Sequence, residues 1–371
     1  MKKKLAIIGA SFGQKSLYLK AKEMGIETYC FAWDKDALCK EFADFFYPIS
    51  IFEKEEILDV CKKIKIDGIT SIASDICFPT VWFVAEKMGF IGNKYEDSGI
   101  AINKLHQRQA FFKHGVNSPR FVFAEENADY SRLDYPLMVK PTDRGASVGV
   151  MKVEKEEDLA VAIQRAQQKS FTQQAVVEEY VSGKEVCAEC ICWEGEHYII
   201  AITETETTGA PYYSKIAYHQ PAQLDAEEKA KVIAEAKKAL DALNFKYGPC
   251  DVEMKINEEG MVKIIEVNAR MGGDATETMV KLSTGYDFVK ATINIAFGKF
   301  EKPVLTENKC SGIYFLGKET EWLKKVIENK ENDPEIITAE IYNEELNEMQ
   351  NSYDRSGYLI YQSDKRKSWK Q

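Results

Sequence analysis

Two carboxylates, an amide and an arginine stand close together late in the chain, in Asp251-Val252-Glu253 and Glu266-Val267-Asn268-Ala269-Arg270. Polar and apolar residues alternate in both runs, and a turn at 257–260 lies between them, so they read as the strands of a hairpin. Side chains two apart on a strand share a face. Glu266 and Asn268 therefore project together, and Glu253 can face them from the other strand. This all-oxygen set suits Mg²⁺ shared with phosphate groups better than Zn²⁺. Arg270, two residues further along the same face, offers a planar fork to a phosphate or acyl-phosphate oxygen. Two more stretches carry related chemistry. Lys140 stands at a strand end, and Pro141-Thr142-Asp143-Arg144-Gly145-Ala146-Ser147-Val148-Gly149 follows it. A point charge and a loop of small residues, whose backbone N–H groups can approach closely, can wrap a polyphosphate. No Gly-Lys-Ser/Thr follows, so this is not a Walker A loop. In Glu178-Glu179-Tyr180-Val181-Ser182-Gly183-Lys184-Glu185 a strand runs into a hinge. Such a hinge can offer backbone groups to an adenine edge, and Glu185 can accept from ribose hydroxyls.

These groups need a scaffold. Over residues 1–100, short apolar runs alternate with helical patterns, which predicts a Rossmann-like domain with a parallel sheet. Its Gly9 and Gly13 do not complete a dinucleotide fingerprint, although Asp34 follows the second strand, so the glycines read as a tight scaffold turn. From 101 to 300 the pattern becomes α+β, with a smaller nucleotide-binding lobe at about 115–182. Helices are expected over 103–114, 156–168 and 226–243. Hairpins are expected at 185–193 with 197–203 and at 248–256 with 261–267. Residues 301–371 read as a small α+β lobe packed on the rest, with strands at 312–316, 336–341 and 357–361 and a frayed basic tail at 365–371.

The net charge of −10 over 371 residues argues against nucleic acid or an anionic membrane as partner. No run approaches the ~20 apolar residues of a membrane span. The apolar stretch after Lys4 stops at Gly9, too short for a secretory leader. Nine scattered cysteines fit a reducing cytoplasm. Cys187-x-x-Cys190 with Cys192 reads as core, because residues three apart on a strand face opposite ways and no second pair follows at zinc spacing. The four histidines support no Ser/His/Asp hydrolase arrangement.

Taken in order and spacing, the three stretches resemble the ATP-grasp superfamily, and Lys104 adds a fourth match. The resemblance spans nearly the whole chain. It implies a Rossmann-like domain followed by two α+β lobes that sandwich ATP. It implies Lys104 and Lys140 as nucleotide lysines, with Gly145, Ala146, Ser147 and Gly149 in the loop over the phosphates. Glu178, Glu179, Tyr180 and Val181 would form the adenine hinge, with Glu185 at the ribose. Glu253, Glu266 and Asn268 would hold Mg²⁺, or Mn²⁺ in its place, and Arg270 would steady an acyl phosphate. Within the superfamily the L-amino-acid ligases look most alike, on His219-Gln220-Pro221-Ala222, Asn268-Ala269-Arg270-Met271-Gly272-Gly273-Asp274, Thr284-Gly285-Tyr286-Asp287 and Asp354-Arg355-Ser356-Gly357-Tyr358. That likeness places His219, Gly272, Gly273 and Asp274 at the substrates, a small carboxylate and a small amine, and points to a homodimer. The implied reaction is ATP-dependent amide formation with release of ADP and phosphate. The same residues leave open a bicarbonate-using carboxylase resembling carboxyaminoimidazole ribonucleotide synthetase, and an ATP-binding regulator without turnover.

Overall fold

A computed structural model describes residues 2–370 of the chain; Met1, and Gln371 at the end of the basic tail, lie outside the described residues. The first apolar runs become β1 (Lys4–Ile8), β2 (Glu27–Phe31), β3 (Phe45–Tyr47) and β4 (Gly68–Thr70), linked by α1 (Lys15–Glu23) and α2 (Lys54–Ile64) and followed by α3 (Phe78–Met88). They pair in parallel in the order β3-β2-β1-β4. Parallel neighbours need crossovers, which the helices supply. The turn after β1 is filled by its own side chain. Gln14 accepts from the Ser11 amide at 2.8 Å and donates to the Ile72 carbonyl at 2.8 Å. Asp34 pairs with Lys40 at the surface. The glycines thus serve a turn, with Gly9 at φ 98°.

After α4 (Ser98–Ile102), α5 (Lys104–Lys113) is capped by Asn103, whose side chain accepts from the amides of Leu105 and His106 at 2.9 and 3.2 Å. The smaller lobe follows: β5 (Phe121–Phe123), β6 (Leu137–Pro141), β7 (Met151–Val153), α6 (Glu156–Lys169) and β8 (Ala175–Glu179), antiparallel in the order β5-β8-β6-β7. One face of α6, formed by Leu159, Ala162 and Ala166, packs with Leu137, Val139 and Val177 of the sheet.

The larger unit holds β9 (Lys184–Trp193), β10 (Glu196–Thr207), β11 (Lys215–Gln220), α7 (Ala226–Ala242), β12 (Gly248–Ile256) and β13 (Val262–Asn268), then α8 (Thr276–Thr284), α9 (Phe288–Ala296), β14 (Cys310–Leu316), α10 (Trp322–Glu328), β15 (Ile336–Ile341) and β16 (Gly357–Ser363). Both expected hairpins form. Glu194 and Gly195 turn the first at φ 53° and 83°, the left-handed pair that matches strand twist. Asp225 and Glu228 cap α7 reciprocally.

The lobe expected at 301–371 packs on the rest by strand pairing. Its strands extend one eight-stranded sheet, β13-β12-β9-β10-β11-β14-β16-β15, because β14 hydrogen-bonds along β11. The tail is not frayed. Arg366 pairs with Glu204 and Glu206, Lys367 with Asp333, and Trp369 packs edge-on against Tyr314 and Tyr361. Charge pairing and one partly buried ring outweigh the polarity from which fraying was expected. Cys187, Cys190, Cys192 and Cys250 are buried free thiols.

Gly183 links the two lobes at the junction of β8 and β9. Its φ is +110°, and a Cβ there would collide with the Ile256 carbonyl oxygen. Gly183→Ala should destabilise the protein by at least ~2 kcal/mol, read as a lowered urea midpoint or melting temperature.

Candidate nucleotide and ligation site

Two lysines enter the cleft from different elements. Lys104 opens α5; its backbone amide donates to the Thr142 carbonyl at 2.7 Å and its Nζ donates to Glu266 Oε1 at 2.6 Å and to the Arg144 carbonyl at 2.8 Å. Lys140 near the end of β6 donates from Nζ to Glu178 Oε2 at 2.7 Å. Arg108, one helical turn after Lys104, reaches the same carboxylate: Nε lies 2.8 Å from Oε1 and Nη2 3.1 Å from Oε2. Glu178 and Arg108 are each only 1% exposed. Burial opposes ionisation of Glu178, but Arg108 and then Lys140 hold its carboxyl down at about 2. The Glu178 side chain is therefore closed off from any ligand, whatever its backbone offers. Closed in on all sides, it is the counter-ion that orients Lys140.

The hinge after it is built otherwise. Glu179 pairs with Arg120, and the Tyr180 amide donates to the Pro136 carbonyl at 3.0 Å. The Tyr180 ring lies 5.7 Å from Tyr213, with Lys152 and Lys255 over its face at 4.3 and 5.3 Å. Val181 is buried behind it. Glu185 pairs with Lys215 and lies 3.5 Å from Lys255. In the loop, Ala146, Ser147 and Gly149 all take positive φ, at 56°, 59° and 76°, and the Val148 amide donates to Gly145.

On the larger sheet Glu253 stands opposite Glu266 and Asp251 opposite Asn268. Asn268 Nδ2 donates to Asp251 at 2.5 Å and to Glu253 at 3.5 Å, leaving its oxygen for another partner. Lys215 lies 3.6 Å from Glu253, and Lys104 sits on Glu266. These carboxylates thus already draw cations, and the donors are hard oxygens, so Glu253, Glu266 and Asn268 fit Mg²⁺. A tighter group, Cys187, Glu189 and Asp251, lies beside them. It is a poor cation site. Burial pushes Glu189 up to about 8 and raises the Cys187 thiol, and metal ligands must be deprotonated. Asp251 is already committed to Asn268 and to Arg270.

Arg270 is held from two sides. Its Nε and Nη2 meet Asp75 of the first domain at 3.0 and 3.1 Å, and Nη1 donates to Asp251 at 2.8 Å. Gly272 and Gly273 follow. A Cβ on Gly272 would lie 2.5 Å from Thr276 Oγ1, so only glycine fits there. Asp274 accepts from Tyr218 at 3.1 Å and from Arg355 at 2.6 Å. His219 does not join this group. Alternation along β11 puts Tyr218 towards Asp274, while His219 is buried between the Tyr361 hydroxyl at 2.9 Å and Glu206 at 3.2 Å.

Sequence reading missed Arg108, Lys215 and the roles of Asp75 and Asp251. Arg108 was findable, because residues four apart on a helix share a face with Lys104. Lys215 and Asp75 meet the site only through the fold.

Glu178→Gln would leave Arg108 and Lys140 without a buried counter-charge, and should cost about 3 kcal/mol in urea unfolding at neutral pH. The folded carboxyl titrates near 2 against an ordinary 4.5. Its stabilisation is therefore complete above about 4.5 and fades as pH falls towards 2. The stability gap between wild type and Glu178→Gln should shrink across that window.

Residues 133–278 match the ATP-grasp domain family. The chain is 25% identical over 222 residues to the D-alanine–D-alanine ligase of Francisella philomiragia, covering 59% of this chain and 71% of that one. It is 26% identical over 329 residues to the alanine–anticapsin ligase of Bacillus subtilis, covering 77% and 69%. The fold superposes on the crystal structure of L-amino acid ligase from Bacillus licheniformis with a TM-score of 0.80 at 21% identity, over 98% of this chain and 94% of that one. Residues 133–278 thus carry an ATP-grasp domain, in a chain similar over most of its length to an ATP-dependent ligase and sharing the fold of another.

Proposed function

We propose that the protein joins a small carboxylate, such as that of an amino acid, to a small amine through an acyl phosphate, forming an amide and releasing ADP and phosphate. The observation that carries this reading is that Lys104 meets Glu266, that Glu253 and Glu266 face each other beside Asn268 and Arg270, and that Lys140 lies near enough for its charge to act on Glu253. A carboxylate is a poor electrophile, and phosphorylation gives it a leaving group. Mg²⁺ held by Glu253, Glu266 and Asn268 would supply charge neutralisation on the phosphate oxygens. Lys104, Lys140 and Lys215 add fixed positive charge around the same oxygens and hold them in line. The loop 142–149 excludes water, which would otherwise hydrolyse the anhydride. Arg270 and the amides of Gly272 and Gly273 would stabilise the oxyanion that develops when the amine attacks. The names of the alanine ligases above support amino-acid substrates. Among the described residues no helix is long and apolar enough to cross a membrane, and all nine thiols are free, which supports a place in the cytoplasm.

Release of ADP from Mg-ATP, with pairwise amino acids and with or without bicarbonate, tests the reading. ADP formation that needs both a carboxylate and an amine, with a condensed product by mass spectrometry, is expected. Dependence on bicarbonate would replace it with the carboxylase reading. ATP binding without substrate-dependent turnover would replace it with the regulatory one. Glu266→Gln should lower substrate-dependent ADP formation on the order of 100-fold, because a hard ligand to the phosphate-bound cation is lost.

A further inference from the structure

The turn 272–275 carries the chain from Arg270 into α8. Asp274 and Ala275 both take left-handed φ, 57° and 59°, a conformation that residues with a Cβ resist. Something must hold them there. Tyr218 donates to one oxygen of Asp274 and Arg355 Nη1 to the other. Arg355 comes from the tail, just before β16. Its guanidinium is buried, lies 3.4 Å from the centroid of the Phe315 ring, and donates from Nη2 to the Lys215 carbonyl at 3.3 Å. Three residues earlier, the Ser352 amide donates to the Ala146 carbonyl at 3.4 Å, at the tip of the loop over the phosphates. The segment between is stiff. Asn351 Oδ1 accepts from the Tyr353 amide at 2.9 Å, and Asp354 Oδ2 accepts from the amides of Gln350 and Asn351 at 3.0 and 2.9 Å.

We infer that Arg355 is a positioning residue that fixes the 272–275 turn at the amine side of the site, and that the rigid 351–355 turn ties this fix to closure of the 142–149 loop. The inference rests on the ligase reading above. It gives Asp354-Arg355-Ser356-Gly357-Tyr358 a task. The amine side is ordered when the phosphate side is shut. With the tie cut, water instead of the amine attacks the acyl carbon and the carbon–oxygen bond to phosphate breaks. The original carboxylate then returns, and ATP is spent without amide.

Two variants test it: Arg355→Lys and Ser352→Pro. Proline at 352 removes only the N–H, since the position opens a helical turn and Asn351 before it is already extended, with φ −159°. Hydrogen exchange at 142–150 and 272–276 is followed with and without AMP-PNP and Mg²⁺. Arg355→Lys and Ser352→Pro should each speed exchange about tenfold in both segments, the range of one lost local tie. Unchanged exchange at 272–276 in both variants overturns the inference. This readout needs no turnover, so it separates failure of the inference from failure of the ligase reading, which would show as absent substrate-dependent ADP in wild type. Where wild type turns over, the ADP-to-amide ratio should rise at least about threefold in both variants, with KM for ATP moving less than kcat. A ratio equal to wild type overturns the coupling. A loss of melting temperature alone, without either change, assigns Arg355 a packing role and also overturns it.

Discussion

Cations held inside a protein need counter-charges held equally well. Glu178 is shut between Arg108 and Lys140, and Glu266 meets Lys104 across the cleft. Each pair joins elements far apart in sequence. Arg108 and Lys104 come from α5, Lys140 and Glu178 from the smaller lobe, and Glu266 from the larger sheet. Breaking any partner leaves an uncompensated charge out of water, which is far costlier than losing an exposed pair. This requirement fixes how the small lobe sits against α5 and the large sheet, and so how Lys104 and Lys140 stand relative to the carboxylates.

The same logic reaches the amine side. Arg270 bridges Asp75 of the first domain and Asp251 of the large sheet. Arg355 bridges the tail and Asp274. Two arginines, each with a carboxylate and each drawn from a different part of the chain, flank the Gly272–Gly273 step. A planar fork constrains direction as well as distance, which a lysine in the same place would not do. These contacts are therefore made by packing distant parts of the chain together.

Much of the architecture was legible. The turn at Gly9, the hairpins turning at 194–195 and 257–260, the helices at 103–114 and 226–243 and the tail strands all carry local signals, and all form. The shared face of three oxygen-bearing side chains was legible for the same reason: period-two alternation on two adjacent strands puts Glu253, Glu266 and Asn268 together. What misled was equally local. Glu178 sits in a Glu-rich strand end that reads as solvated, and nothing nearby announces that Arg108, seventy residues earlier, will cover it. His219 sits beside residues that resemble a substrate motif, yet strand alternation turns it the other way. The tail reads as basic and loose, while its partners Glu204, Glu206 and Asp333 lie far upstream.

By itself the sequence determined the elements, the order of the nucleotide stretches and the hard-oxygen face, because backbone propensity, caps and side-chain period act over a few residues. Only the tertiary structure decided which charges pair, that the tail strands complete the large sheet, and which arginine meets which carboxylate. Those outcomes depend on desolvation and on contacts between residues tens to hundreds of positions apart, and such distances leave no trace in local pattern.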